Sequence, residues 1–313
     1  MIDHTGGPSP ASKPDWEVVD PRGAELIPGN SFLERLGAGL RWGEGPVYFA
    51  DLDCVLFSDI PNNRMMRWSD GAGLSVFRTP SNNSNGNTRD LQGRLLTCEH
   101  RTRRVTRTEV DGSVTVLADH HAGGRLNSPN DIVVKSDGSV WFTDPPYGIE
   151  IDFEGGRAAR EQERNFVFRL DPEDGELEPM IDDMDQPNGL AFSPDESVLY
   201  VSDTGHGDGP AAPPHIRAYD IGDDRRPHSG RVFATLDGDP SDGFRLDSDG
   251  NVWTSGGKGV DCFAADGSLL LRIHVPERVA NVVFGGRQRN RLFITANTSF
   301  YSIYTNVSGA QRP

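Results

Sequence analysis

Six side-chain oxygen groups stand at matched places along this chain: Glu44, Asn85, Asn130, Asn188, Asp242 and Asn281. Each opens a short strand-like phrase, as in Asn130-Asp131-Ile132-Val133-Val134, Asn188-Gly189-Leu190-Ala191-Phe192 and Asn281-Val282-Val283-Phe284. Two carboxylates and four amides form an oxygen-only set, with no thiolate or imidazole in the same register. Such a set suits a hard cation such as Ca²⁺ and argues against zinc or copper. Glu44 and Asp242 would balance one divalent charge while the amides stay neutral. Asn and Asp are also favoured at turns, which accounts for one or two of these positions at low cost. A whole ring is less well explained that way, because six polar groups brought together need partners.

Bringing them together requires a repeat. The first strands recur at intervals of 41, 45, 58, 54 and 39 residues, counted from Glu44 to Asn281. A unit of about 40 residues holding four short strands is a propeller blade. Second strands follow near Val55, Leu95, Val140, Val198, Val252 and Leu292, and third and fourth strands come after them. The sixth unit lacks a fourth strand, and Phe32 to Leu36 supplies it, closing the ring and removing a free sheet edge. The fold expected is all-β, a six-bladed β-propeller with four-stranded blades, the last blade closed by an N-terminal strand. Residues 1–15 are read as a disordered tail and 16–313 as a single propeller domain. First strands line the central channel, so the six oxygen groups face one another around its axis.

Second strands return antiparallel, which carries Asp59, Glu99 or His100, Asp144 and Asp203 back to the same end. They are read as a second shell or a substrate ring. Two long intervals hold insertions rich in Gly, Pro and charge, Pro145 to Glu163 and Gly205 to His215, placed at the channel mouth as loops. Tyr147 and His206 on these loops are candidate substrate contacts.

Global properties narrow the function. The formal charge of −16 opposes nucleic acid and anionic membrane surfaces as partners. No apolar run approaches a transmembrane helix, and Met1 to Pro14 has no apolar core of a signal peptide. Cys54, Cys98 and Cys262 form no spacing pattern and read as buried free thiols in a reducing compartment, hence a cytoplasmic protein. A homo-oligomer is left open. Asp171 to Gly175 and Asp247 to Gly250 are hairpin turns without the closing Glu of an EF-hand. There is no Gly-x-Ser-x-Gly elbow, and His120-His121 reads as surface.

Several of these phrases together resemble the SMP-30/gluconolactonase/luciferin-regenerating family, calcium-dependent six-bladed propellers. The carriers include Trp42-Gly43-Glu44-Gly45-Pro46, Phe57-Ser58-Asp59-Ile60-Pro61, Asn127-Ser128-Pro129-Asn130-Asp131, Pro187-Asn188-Gly189, Ser241-Asp242-Gly243 and Phe284-Gly285-Gly286. The resemblance runs from about Phe32 onward and is nearest to bacterial gluconolactonases. It implies that Glu44, Asn188 and Asp242 ligate calcium and that Asn130 approaches the metal or the substrate. Ser128 stands where animal members carry a lactone-binding arginine. Arg245 stands where a phosphatase relative needs an acid for a second calcium, so one catalytic ion is expected.

The activity expected is hydrolysis of a sugar lactone such as D-glucono-1,5-lactone, with Asp242 as base and ligand, Glu44 as ligand and Asn130 orienting carbonyl or water. Other divalent metals are allowed as substitutes. Asn85, His100, Asn127, Asp144, Tyr147, Asp203 and His206 are the candidate substrate-binding residues. The rivals are a phosphotriesterase of the diisopropylfluorophosphatase type and a non-catalytic calcium-binding propeller.

Overall fold

The computed structural model describes residues 14–205, 214–257 and 259–311. Six antiparallel sheets stand around a central channel as propeller blades. Blade I is Gly43–Phe49, Cys54–Asp59, Arg64–Ser69 and Gly73–Arg78, and blade II is Ser84–Arg89, Leu95–Glu99, Arg104–Thr108 and Val114–Ala118. Blade III is Ile132–Val134, Val140–Asp144, Phe166–Leu170 and Leu177–Ile181, and blade IV is Pro187–Phe192, Val198–Asp203, His215–Ile221 and Pro227–Thr235. Blade V is Phe244–Leu246, Val252–Gly256, Gly259–Phe263 and Leu269–His274, and blade VI is Val279–Gly285, Arg291–Ala296 and Ser299–Tyr304. The expected blade count and strand order are those observed.

The N-terminal strand closes blade VI as the repeat requires, at Glu34–Ala38 rather than two residues earlier, with Glu34 opposite Ser302 and Ala38 opposite Ser299. Leu33 lies outside the ladder because its N–H is held by Asp15 Oδ2 at 3.0 Å. A second N-terminal strand, Trp16–Val18, was not expected and adds a fifth strand to the outer edge of blade V. Three residues carry too little periodicity to announce a strand. Between the two, Leu26 and Ile27 are buried against Trp253, Leu270 and Val279, so this segment staples blades V and VI together.

Blades pack through their faces, each large side chain filling the wedge to its neighbour. Phe57 stacks on Phe300 at 4.5 Å between blades I and VI. Trp141 meets Phe192 edge-on at 5.3 Å between blades III and IV, and Trp253 meets Phe284 at 5.8 Å between blades V and VI. Trp141, Trp253, Phe57 and Phe300 are essentially inaccessible, and each is a large contributor to the hydrophobic stabilisation. All three cysteines are buried and free. No helix among the described residues is long and apolar enough to cross a membrane.

Near the axis the backbones themselves come into contact, and this explains a motif the sequence shows without reason. Glycine follows four of the six oxygen groups: Gly45, Gly86, Gly189 and Gly243. A Cβ at Gly45 would stand 2.1 Å from Asn85 O, at Gly86 2.3 Å from Asn130 O, and at Gly189 2.3 Å from Asp242 O. At Gly243 it would lie 2.0 Å from Asn281 Cγ. Each glycine lets one first strand dock on the next oxygen-bearing residue, with Gly86 N–H donating to Asn130 O at 2.7 Å and Gly189 N–H to Asp242 O at 2.9 Å.

Candidate metal and active site

The six first-strand residues converge at one end of the channel. Asn85 Nδ2 donates to Asn130 Oδ1 at 2.5 Å, and Asn130 Nδ2 donates to Asn188 Oδ1 at 2.6 Å. Asn188 in turn hydrogen-bonds the Asp242 carboxylate, and Asp242 meets Glu44. Asn281 Nδ2 donates to Glu44 Oε2 at 3.3 Å, and Gly45 N–H donates to the same oxygen at 2.8 Å. Glu44, Asn85, Asn130, Asn188 and Asn281 are buried, whereas Asp242 keeps some exposure.

Two carboxylates share this space, and burial and neighbouring charge act on both. Burial, followed by the neighbouring charges of Asp242 and Asp131, pushes the Glu44 carboxyl well above the ordinary range. Burial pushes Asp242 up to about 6, opposed by Arg278 and by the hydrogen bond from Asn188. Asp131, whose charge also acts on both carboxyl groups, is itself paired with Arg245. That buried guanidinium places Nη1 3.3 Å from Asp131 Oδ2 and Nη2 3.4 Å from Oδ1.

The donor set fits a hard divalent cation. No group of three or more His, Cys, Asp and Glu side chains capable of holding a metal occurs among the described residues. What is present is two carboxylates completed by amide oxygens, the chemistry Ca²⁺ accepts. Such a charge would also relieve the repulsion that raises both carboxyl groups.

The other expected site residues separate into two groups. Tyr147 belongs to the opening: it begins a one-turn helix, Tyr147–Glu150, and hydrogen-bonds Thr204. Burial raises its phenol above the ordinary value, and Asn188 and Asp242 both act on it. His100, Asn127 and Asp144 instead have no exposed surface, and Asp203 has little. Asp144 Oδ2 accepts from Asn127 N at 2.7 Å, and Asp203 accepts from Gln186 N at 2.9 Å and Gly205 N at 3.0 Å. Asp59 does the same for Arg41 N at 2.9 Å. These carboxylates at second-strand ends fasten the loops that enter the first strands, and the Asp203 charge also acts on Tyr147. Asn127 Nδ2 donates to Asp144 O at 3.0 Å and Asn165 Oδ1 at 3.2 Å, which gives it the same scaffolding part. His206 lies outside the described residues.

Two charged residues at the opening escaped the sequence reading. Glu154 lies on the blade III insertion, and burial together with the charges of Asp242 and Glu150 pushes its carboxyl up to about 7, against the pull of Arg278. Arg278 precedes blade VI and lies over the Trp42 ring, with its Cζ 5.5 Å from the centroid. In sequence Glu154 is one acid among several in a charged insertion. Only the fold of that insertion sets it apart.

The fold and site together are those of a six-bladed β-propeller with an oxygen-lined acidic centre at one mouth of its channel. Residues 42–298 match the model of the SMP-30/Gluconolactonase/LRE-like region, and the chain belongs to that family. It is 32% identical over 314 residues to a gluconolactonase of Zymomonas mobilis, covering 92% of this chain and 85% of that protein. It superposes with a TM-score of 0.86 on the structure of a gluconolactonase from Xanthomonas campestris, at 36% identity, covering 95% of this chain and 97% of the other. Regucalcin of Agrobacterium tumefaciens, described as a calcium-binding protein, shares the fold at a TM-score of 0.70 and 19% identity, covering 89% of this chain and 95% of that one.

Proposed function

We propose that this protein hydrolyses the ester bond of a sugar lactone such as D-glucono-1,5-lactone, giving the aldonic acid. The observation that carries the reading is the pair Glu44 and Asp242, two crowded carboxylates among amides, beneath an opening that also presents Tyr147, Glu154 and Arg278. The family relatives named as gluconolactonases support the substrate class.

Glu44, Asn188 and Asp242 would hold one divalent cation, calcium by the hardness of its ligands, with Asn130 beside it. When bound, such a cation supplies polarisation of the lactone carbonyl. Asp242, ionised at neutral pH, takes a proton from the attacking water. Its bond from Asn188 holds the carboxylate in one orientation while it does so. Water oxygen bonds to the carbonyl carbon, the ring C–O bond breaks, and the departing alkoxide needs a proton. Glu154, with a carboxyl balanced near neutrality, would give it. Tyr147 and Arg278 flank the sugar hydroxyls and the developing carboxylate.

The test is titrimetric hydrolysis of glucono-1,5-lactone, corrected for spontaneous opening, before chelation, after chelation and with Ca²⁺ restored. Activity that vanishes and returns supports the reading. Activity indifferent to chelation refutes the metal assignment, and a metal-replete protein inert on lactones refutes the substrate class.

A further inference from the structure

His100 directly follows the second strand of blade II, Leu95–Glu99, and touches two things at once: the oxygen ring and the blade III insertion. Its imidazole has no exposed surface. Nδ1 lies 3.2 Å from the backbone oxygen of Glu154, and Nε2 lies 3.3 Å from both Asn85 Nδ2 and Asn130 Oδ1. The insertion is clamped on the ring at this point. A Cβ at Gly148 would stand 2.5 Å from His100 Cβ, and a Cβ at Gly155 would stand 2.2 Å from Gly148 O. Ser128 Oγ donates to Pro145 O at 2.6 Å and accepts from Gly148 N at 2.9 Å, and Gly156 N–H donates to Gly148 O at 2.9 Å.

A carbonyl oxygen only accepts, so Nδ1 facing Glu154 O must carry the proton. In a neutral ring Nε2 then holds a lone pair, which accepts from Asn85 Nδ2. That tautomer satisfies two contacts and leaves the Nε2 lone pair facing Asn130 Oδ1, whose hydrogen comes from Asn85 instead. The alternative, with the proton on Nε2, satisfies only the one to Asn130 Oδ1 and sets two lone pairs face to face at Nδ1.

The consequence passes along the amides. An Asn85 that must offer N–H to His100 directs its other N–H to Asn130 Oδ1, which leaves the Asn130 amide group to donate to Asn188 Oδ1. The Asn188 amide group is then left to donate to Asp242. Each amide oxygen keeps a second lone pair, and every link points the same way.

We propose that His100 is a positioning residue: its Nδ1–H tautomer, fixed by the Glu154 backbone carbonyl, sets the direction of the amide chain Asn85–Asn130–Asn188 and couples the insertion to the ring. The insertion thereby orients groups it does not touch, and His100 acts through Asn85 and Asn130 without contacting substrate.

The direct test is ¹H–¹⁵N correlation across two bonds in the histidine rings of the whole protein, with His100 assigned by its absence in His100→Gln, or in His100→Asn should that variant not fold. The expected pattern at pH 7 is a protonated Nδ1 and an unprotonated Nε2. A proton on Nε2, or on both nitrogens, overturns the proposal. The kinetic arm uses His100→Phe, which keeps a ring and removes both contacts. It rests on the lactonase reading, and kcat should fall roughly tenfold or more with KM little changed, the scale seen for partners of metal ligands. Unchanged kcat in a folded His100→Phe also overturns it. If the wild type hydrolyses no lactone, the spectrum alone decides, so the two readings fail separately.

Discussion

Replacing Asp242 with Asn should make the metal-free protein more stable while it destroys the activity. The structure places this carboxyl where burial raises its pKa from 3.8 to about 6, a displacement worth roughly 3 kcal/mol. The sign follows from linkage. The native state holds a proton that the unfolded chain has released between pH 3.8 and about 6, so the Asp242 contribution to ion-free stability falls as pH rises through that window and is constant above it. The amide in Asp242→Asn does not titrate. The variant should therefore match the wild type near pH 4 in chelator and exceed it by up to roughly 3 kcal/mol at pH 8, several degrees in Tm. Added Ca²⁺ should reverse the order, because the wild type gains the binding free energy and the variant loses most of it. Urea unfolding with chelator at pH 4, 6 and 8, then with excess Ca²⁺ at pH 8, measures all of this. Equal stability of the two proteins in chelator at every pH, with an equal response to Ca²⁺, would refute both the crowding argument and the ligand assignment.

Glu154→Gln should remove an ionisation near pH 7 from the kcat/KM profile and lower turnover about a hundredfold, with Tm almost unchanged; an unaltered profile would dismiss it as the proton donor. Asp131→Asn leaves the Arg245 guanidinium buried without its counter-charge and should cost about 3–5 kcal/mol in urea unfolding. The double variant Asp131→Asn with Arg245→Met should recover most of that loss. Gly45→Ala should destabilise the fold by about 3 kcal/mol, because its Cβ would enter the Asn85 carbonyl 2.1 Å away and its φ of 51° disfavours any side chain. An unperturbed Gly45→Ala would show that blades I and II have room to separate at the axis.

The chain by itself determined the ring. A strand-turn-strand phrase repeated at blade spacing places Glu44, Asn85, Asn130, Asn188, Asp242 and Asn281 in one register, and closure by an N-terminal strand was required by the missing partner in blade VI. Those are local properties, carried by alternation and turn residues over a few positions, and a repeat multiplies them. Second-strand acids were legible as residues near the same end, but their work was not. Whether Asp144 and Asp203 face a substrate or fasten an entry loop depends on which backbone N–H groups come within reach, and both fasten loops. Glu154 and Arg278 were silent for the same reason. His100 and the Glu154 carbonyl lie 54 positions apart and meet only because the blade III insertion folds back over the ring. Such contacts between irregular segments obey no period. Tertiary packing alone decides them, and with them which carboxyl stands at the opening and which way the amides point.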